Sequence, residues 1–213
     1  MENLGKLFGT TAKVKIMRLF LLNQEQGFET KDVAERSRVT QASARSELST
    51  LLAAGLVKKK MFYKEWTVKR GQKETLKKKK VTGWFFDSNF KYKEALRNLV
   101  LDAEFVDLTS LGKKLKTLGK MKLVLAAGVF LQDPTSRLDL LIVGDELRRQ
   151  PIDTTIRMLE AEIGKELAYA VFDTPDFLYR ANMYDKLVRD VIDFPHEKVL
   201  DVGILNQIPK VSK

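Results

Sequence analysis

Thr40-Gln41-Ala42-Ser43-Ala44-Arg45-Ser46-Glu47-Leu48-Ser49-Thr50-Leu51-Leu52-Ala53-Ala54-Gly55 is the stretch on which the reading of this 213-residue chain turns. Thr40 is a good helix N-cap, because its hydroxyl can accept from a free N–H of the first turn. Ala44, Leu48, Leu51 and Leu52 recur at i, i+4, i+7 and i+8 and predict one buried face. Gly55 stands where a left-handed C-cap is wanted. The other face presents Gln41, Ala42, Ser43, Arg45, Ser46 and Ser49, and Glu47 is the only acid between Thr40 and Gly55. A solvated helix face would carry more Glu and Lys. A helix that enters a major groove needs small side chains to approach and a few donors to read base edges. Gln41 suits adenine, Arg45 suits guanine, and Thr40, Ser43 and Ser46 are placed to reach a base or a phosphate.

The flanking sequence extends that outline. Val14, Ile16, Met17, Leu19, Phe20, Leu21 and Leu22 predict an earlier amphipathic helix, and Thr30 to Arg36 a short one. Ser37-Arg38-Val39 then makes a tight connection, so two helices and a turn form a helix-turn-helix. After Gly55, Val57, Met61-Phe62-Tyr63, Trp66 and Val68 suit a strand. Lys69-Arg70-Gly71-Gln72 offers a turn and Val81 to Phe86 a returning strand, which together read as a long wing.

The wing also holds the charge. The chain carries +10 overall, and residues 58–80 contain eleven Lys/Arg and two acids, a surplus of nine. Such a block points to a polyanion partner. Lys58, Lys59, Lys60, Lys64, Lys69, Arg70 and Lys73, with Lys77 to Lys80, are candidates to neutralise phosphates. Alternation along a strand sends half to each side, so about four to six would meet one duplex. Lysine gives sequence-blind affinity and leaves specificity to the helix. Phe62, Tyr63, Trp66, Trp84, Phe85 and Phe86 interleave with the cations. Stacking on single-stranded bases is one use for them, and packing across the hairpin is the preferred one.

Beyond the wing, helices are expected over Asn89–Ala103 and Leu108–Leu118. Strands are expected over Met121–Phe130 and Leu138–Val143, the second broken by Gly144. A helix carrying Ile152, Ile156, Leu159 and Ile163, a strand over Glu166–Phe172, helices within Asp176–Ile192 and a strand over Lys198–Val202 complete the pattern. This alternation indicates α/β architecture, α+β over the whole chain. The domains expected are 1–88, a connecting helix and linker over 89–106, a second domain over 107–206, and a tail over 207–213. Cysteine is absent and His196 is the single histidine, which excludes disulfides, thiolate metal sites and cysteine nucleophiles. No signal-like start is present, and the longest apolar run, Leu123 to Leu131, is far short of the ~20 residues that span a bilayer. A cytoplasmic location and no membrane partner are expected.

Leu4-Gly5-Lys6-Leu7-Phe8-Gly9, Lys15-Ile16-Met17-Arg18-Leu19-Phe20 and the run to Leu56 resemble winged-helix regulators of the ArsR/MarR type. Met121 to Gly203 resembles the minimal nucleotidyltransferase domain. Its sharpest pieces are Gly128, Ser136-Arg137-Leu138-Asp139-Leu140-Leu141-Ile142-Val143-Gly144, Leu159-Glu160, Gly164-Lys165-Glu166 and Asp176-Phe177. The resemblance implies a Gly-Ser turn and then two aspartates at i and i+2 of a strand, which hold the divalent ions that carry a nucleoside triphosphate. Here Val129 follows Gly128, and Arg137 occupies the first aspartate position, leaving Asp139 alone. A permanent guanidinium charge repels a metal ion.

The expectation is therefore a transcriptional regulator that binds double-stranded DNA, with a second domain that performs no turnover and uses no cofactor or metal. Gly128, Ser136, Arg137 and Asp139 would mark the remnant of a nucleotide site. The α/β domain would serve in homodimerisation or in sensing a phosphate-bearing effector through Arg137. Two rivals stand beside it: an active nucleotidyltransferase targeted by its helix-turn-helix, and an RNA- or single-strand-binding scaffold that uses the wing.

Overall fold

A computed structural model of the chain describes residues 2–70, 73–102, 107–133 and 135–208, with the side chains of 68–70, 73, 74 and 102 outside the description. The protein mixes helix and strand, and its backbone divides into two compact units. The first takes Met1–Ala103 with Glu160–Lys165, and the second takes Glu104–Leu159 with Glu166–Lys213. The expected linker region thus splits, its helix grouping with the first unit. Among the described residues no helix is long and apolar enough to cross a membrane.

The first unit opens with α1 (Glu2–Phe8), α2 (Thr11–Leu22), α3 (Thr30–Arg36) and α4 (Gln41–Ala53). Thr10 caps α2 through Lys13 N–H, and Thr40 caps α4 through Ser43 N–H, each by its hydroxyl oxygen. Between α3 and α4 the chain reverses at Arg38, whose φ of +49° lies in the left-handed region that most side chains avoid. Its N–H donates to Glu35 O and that of Val39 to Ala34 O, closing the turn. The core joins Val14, Leu19 and Phe20 of α2 to Val33 of α3 and Ala44, Leu48 and Leu51 of α4. Leu52, expected on the buried face, is instead 39% exposed. At 100° per residue it lies at the rim of a stripe that Ala44, Leu48 and Leu51 already fill.

Gly55, at φ +76°, turns the chain out of α4 into β1 (Val57–Arg70), which pairs antiparallel with β2 (Lys73–Phe86). Both strands outrun the sequence expectation, the second beginning eight residues before Val81. The expected turn residues Gly71 and Gln72 lie outside the described residues. The root of the hairpin is held by backbone bonds in both directions between Phe28 and Trp84, at 3.0 and 2.8 Å. The Trp84 indole N–H donates to Thr30 Oγ1, and Phe28 meets Phe20 edge to face. Gly83 permits this approach: a Cβ there would lie 2.9 Å from Phe28 O and strike the Phe62 ring. After the hairpin, α5 (Lys93–Arg97) starts four residues later than expected and runs into a π-helical turn, Asn98–Asp102. Buried Arg18 of α2 donates from Nε to Val100 O in that turn.

The second unit contains α6 (Leu108–Lys116), β3 (Lys120–Ala126), β4 (Leu140–Asp145), α7 (Arg149–Ile163) as far as Leu159, β5 (Tyr169–Phe172), α8 (Thr174–Asn182), α9 (Lys186–Asp193) and β6 (Glu197–Asp201), the last residues of α7 grouping with the first unit. Its sheet order is β5-β4-β3-β6, with β4 and β5 parallel and the other pairs antiparallel. Leu123, Leu125, Leu141 and Val143 pack one face against Phe177, Val188 and Val191, while Val124, Leu140 and Ile142 are buried on the other. Burial on both sides explains the unbroken apolar runs. Three expectations are corrected. β3 ends at Ala126 rather than Phe130, because Gly128 at φ +51° bends the chain into a 3-10 turn. β4 does not break at Gly144, which pairs with Met121 and has Lys120 O where a side chain would go. Ile208, assigned to the tail, is buried in the core with Ile204, and residues 209–213 lie outside the description.

Gly83→Ala should drive the root of the hairpin off Phe28 and destabilise the fold by about 1–3 kcal/mol, the usual scale for forced overpacking. A lowered thermal midpoint with unchanged helix content would register it. An unchanged midpoint would contradict the close approach.

Candidate nucleic-acid interface

On α4, Gln41, Ala42, Arg45, Ser46 and Ser49 are exposed and Ser43 is half-buried, as the spacing requires. Glu47 turns inward. It is only 7% exposed, accepts the Thr10 hydroxyl at 2.6 Å and pairs with Lys13 at 3.4 Å. The exposed face of α4 is therefore free of acids. Exposed Arg38 stands two residues before Thr40 and adds a cation at that end of the helix, one that the helical pattern itself does not include.

The hairpin register from Val57↔Phe86 to Arg70↔Lys73 is uninterrupted. Successive side chains in a strand point to opposite faces, and directly paired residues share one. Lys58, Lys60, Lys64, Arg70, Lys73, Lys77 and Lys79 thereby occupy positions on one face, with no acid among them. Lys59, Lys69, Lys78 and Lys80 fall on the other face, together with both hairpin acids, Glu65 and Glu74. The cluster that looks uniform in sequence is sorted by charge. For Lys69, Arg70, Lys73 and Glu74 only these register positions hold, since their side chains lie outside the described residues.

Not every lysine on the acid-free face is available. Lys58 donates to Asp87 at 3.0 Å. That bond, with a second from Asn89 N–H, holds the Asp87 carboxyl below its ordinary pKa. The pair is therefore complete at neutral pH and is lost as pH falls through a point below the ordinary aspartate value. Lys64 bonds both Asp32 oxygens at 2.7 Å and tethers the ribbon to α3. Lys60 lies over the Phe85 ring at 5.9 Å with its side chain exposed. Lys77 and Lys79 are exposed and have no carboxylate partner among the described residues. On the opposite face Lys78 pairs with Glu65. The sequence ranks Lys58 and Lys64 alongside Lys77 and Lys79, because the partners Asp87 and Asp32 are remote in the chain. Strand parity counted along the hairpin is the signal that separates the two faces.

In the second unit Gly128, Ser136, Arg137 and Asp139, the residues on which the resemblance rests, fall around the turn between β3 and β4. Asp139 is 6% exposed, and both its oxygens are engaged, Oδ1 by Val129 N–H at 2.7 Å and Oδ2 by Ala168 N–H at 2.9 Å. Gly128 lies against that carboxylate so closely that a Cβ would collide with Oδ1. Ser136 donates to Leu138 O, and exposed Arg137 pairs with Asp190 of α9 at 2.7 Å. Asp133 is tied to the Thr135 hydroxyl and N–H, which hold its carboxyl below the ordinary range. Asp139 spans two backbone segments, and the residues around it do not fit the paired divalent ions that the resemblance implies. Among the described residues no cluster of three His, Cys, Asp or Glu side chains is close enough to hold a metal ion.

No family model, curated protein or solved structure matches this chain.

Asp139→Ala should leave the N–H groups of half-buried Val129 and exposed Ala168 without their carboxylate acceptor and cost about 1–3 kcal/mol, the scale of hydrogen bonds to a charged group. Denaturant unfolding tests this. A loss below about 0.5 kcal/mol would show that the carboxylate does not hold the turn.

Proposed function

We propose that the first unit is a winged helix-turn-helix that binds double-stranded DNA, and that the chain acts in transcriptional regulation. The observation that carries this reading is the absence of acids from the exposed face of α4 and from the strand positions of one hairpin face, whose outer half beyond Lys64 meets no carboxylate among the described residues. Glu47 is turned into the core of the first unit, and Glu65 and Glu74 fall on the far side of the hairpin. Duplex DNA presents a dense line of phosphates, so even one acid in a contact surface opposes binding. The exposed residues of α4 are small or donate hydrogen bonds, which suits groove entry and base-edge readout. The available lysines of the acid-free face supply affinity that is blind to sequence.

The second unit, on this reading, resembles a nucleotidyltransferase and performs no turnover. The engaged Asp139 and the Arg137–Asp190 ion pair support that assignment. Its role would be to pair two chains, as two-fold assembly commonly does for DNA-binding proteins, or to sense an effector. A phosphate-bearing effector would have to displace Asp190 from Arg137.

Selection of bound duplexes from a random pool tests the reading directly, with enrichment of a short motif expected and an unenriched pool contradicting it. On a selected site Arg45→Ala should weaken binding by ~1–3 kcal/mol and relax one position of the motif. Lys60→Gln, Lys77→Gln and Lys79→Gln combined should weaken all duplexes alike. Together they should lower the slope of log affinity against log salt by about 2–3, near 0.9 for each phosphate no longer neutralised. The matching change at Lys59, Lys78 and Lys80 should lower it by less than about 1.

A further inference from the structure

Of the six aromatic residues in the hairpin, four are accounted for by packing. Trp84 and Phe86 are buried, and the half-buried Phe62 and Phe85 meet edge to face at 5.4 Å. Tyr63 and Trp66 are left at 64% and 42% exposure. The pairing register separates them. Tyr63 stands opposite Lys80 on the face that also carries Glu65, whereas Trp66 stands opposite Lys77 on the acid-free face, with Lys79 diagonal to it. Beyond Lys64, where the tether to Asp32 ends, that face offers an exposed indole beside two ammonium groups that have no carboxylate partner among the described residues.

We propose that the outer half of the acid-free face holds unpaired nucleotides, one base stacking on the Trp66 indole while Lys77 and Lys79 take the adjoining phosphates. Phosphates alone would need only the lysines. Inside an intact duplex both faces of each base are covered by neighbours, so an indole finds nothing to stack on. An unpaired base offers a free face, and stacking of this kind tolerates any sequence. The inference rests on the reading of the chain as a duplex binder. It names as the preferred substrate duplex DNA that carries a single-stranded extension or an opened segment at the wing, an intact duplex still being held there through its phosphates.

The test uses the full chain with Trp84→Phe, which leaves Trp66 as its only tryptophan. A dT oligonucleotide of ~12 nucleotides, and a duplex with a dT overhang, should quench its emission to saturation, while a blunt duplex should not. In the otherwise native chain, Trp66→Ala should weaken dT binding about tenfold and Trp66→Phe should retain most of it. Tyr63→Ala, on the opposite face, should leave it unchanged. The proposal is overturned if Trp66→Ala binds dT as tightly as the native chain, or if Tyr63→Ala costs as much. A blue shift on anionic phospholipid vesicles without quenching by dT would also overturn it. The stacking arm is read on the dT oligomer alone, and the duplex reading on the blunt duplex and Arg45→Ala, so each failure is visible separately.

Discussion

An unbroken antiparallel register gives the hairpin its chemical polarity. The side-chain period of a strand is two, so a slip of one residue in either strand would carry its whole set of side chains to the opposite face. Glu65 or Glu74 would then move among the lysines of the acid-free side. The register is fixed at the root rather than at the tip. Phe28 pairs with Trp84, Gly83 admits the approach of the Phe28 carbonyl, the Trp84 indole is held by Thr30, and Lys58 bonds Asp87. Slippage would break each of these interactions, and together they make one pairing much better than its neighbours.

The same geometry concentrates like charge, which has a cost. Lys64 and Lys79 are directly paired across the strands, an arrangement that is destabilising when both charges are bare. Asp32 relieves it by binding Lys64, and it does so while its carboxylate also accepts Glu29 N–H at the start of α3. Lys77 and Lys79 have no such relief among the described residues. A two-stranded ribbon is marginal by itself in water, so its outer half gains most from a polyanion that neutralises these two groups. Affinity from such contacts falls steeply with salt, whereas the uncharged donors of α4 are less affected.

Much of the first unit was legible in its sequence. The α3 limits, the Thr40 cap and the inward face of Ala44, Leu48 and Leu51 follow from local rules about hydroxyl caps and helical period. Partnerships between distant residues were not legible. Nothing near Glu47 announces that Thr10 and Lys13 hold it inward, and nothing near Lys64 announces Asp32. Composition gave the size of the charge in the wing, but only pairing could distribute it between faces. In the second unit the strands were found from their apolar runs, and their ends were missed where a backbone turn rather than hydropathy decides. Gly128 bends β3 early because Asp139 seizes the next N–H, an interaction across the turn that no local pattern reports. Asp139 drew notice only through a resemblance to a paired-aspartate motif, and its use as a brace between two backbone segments was not visible.

Lysine reactivity in the presence and absence of duplex DNA tests the central claim most directly. Acetylation with limiting acetic anhydride, read residue by residue by mass spectrometry, compares the two faces within a single chain. Lys60, Lys77 and Lys79 should be protected when duplex is bound, and Lys59, Lys78 and Lys80 should remain as reactive as in the free protein. Equal protection on both faces, or protection on neither, would contradict an account in which strand parity makes one side of the ribbon the nucleic-acid surface.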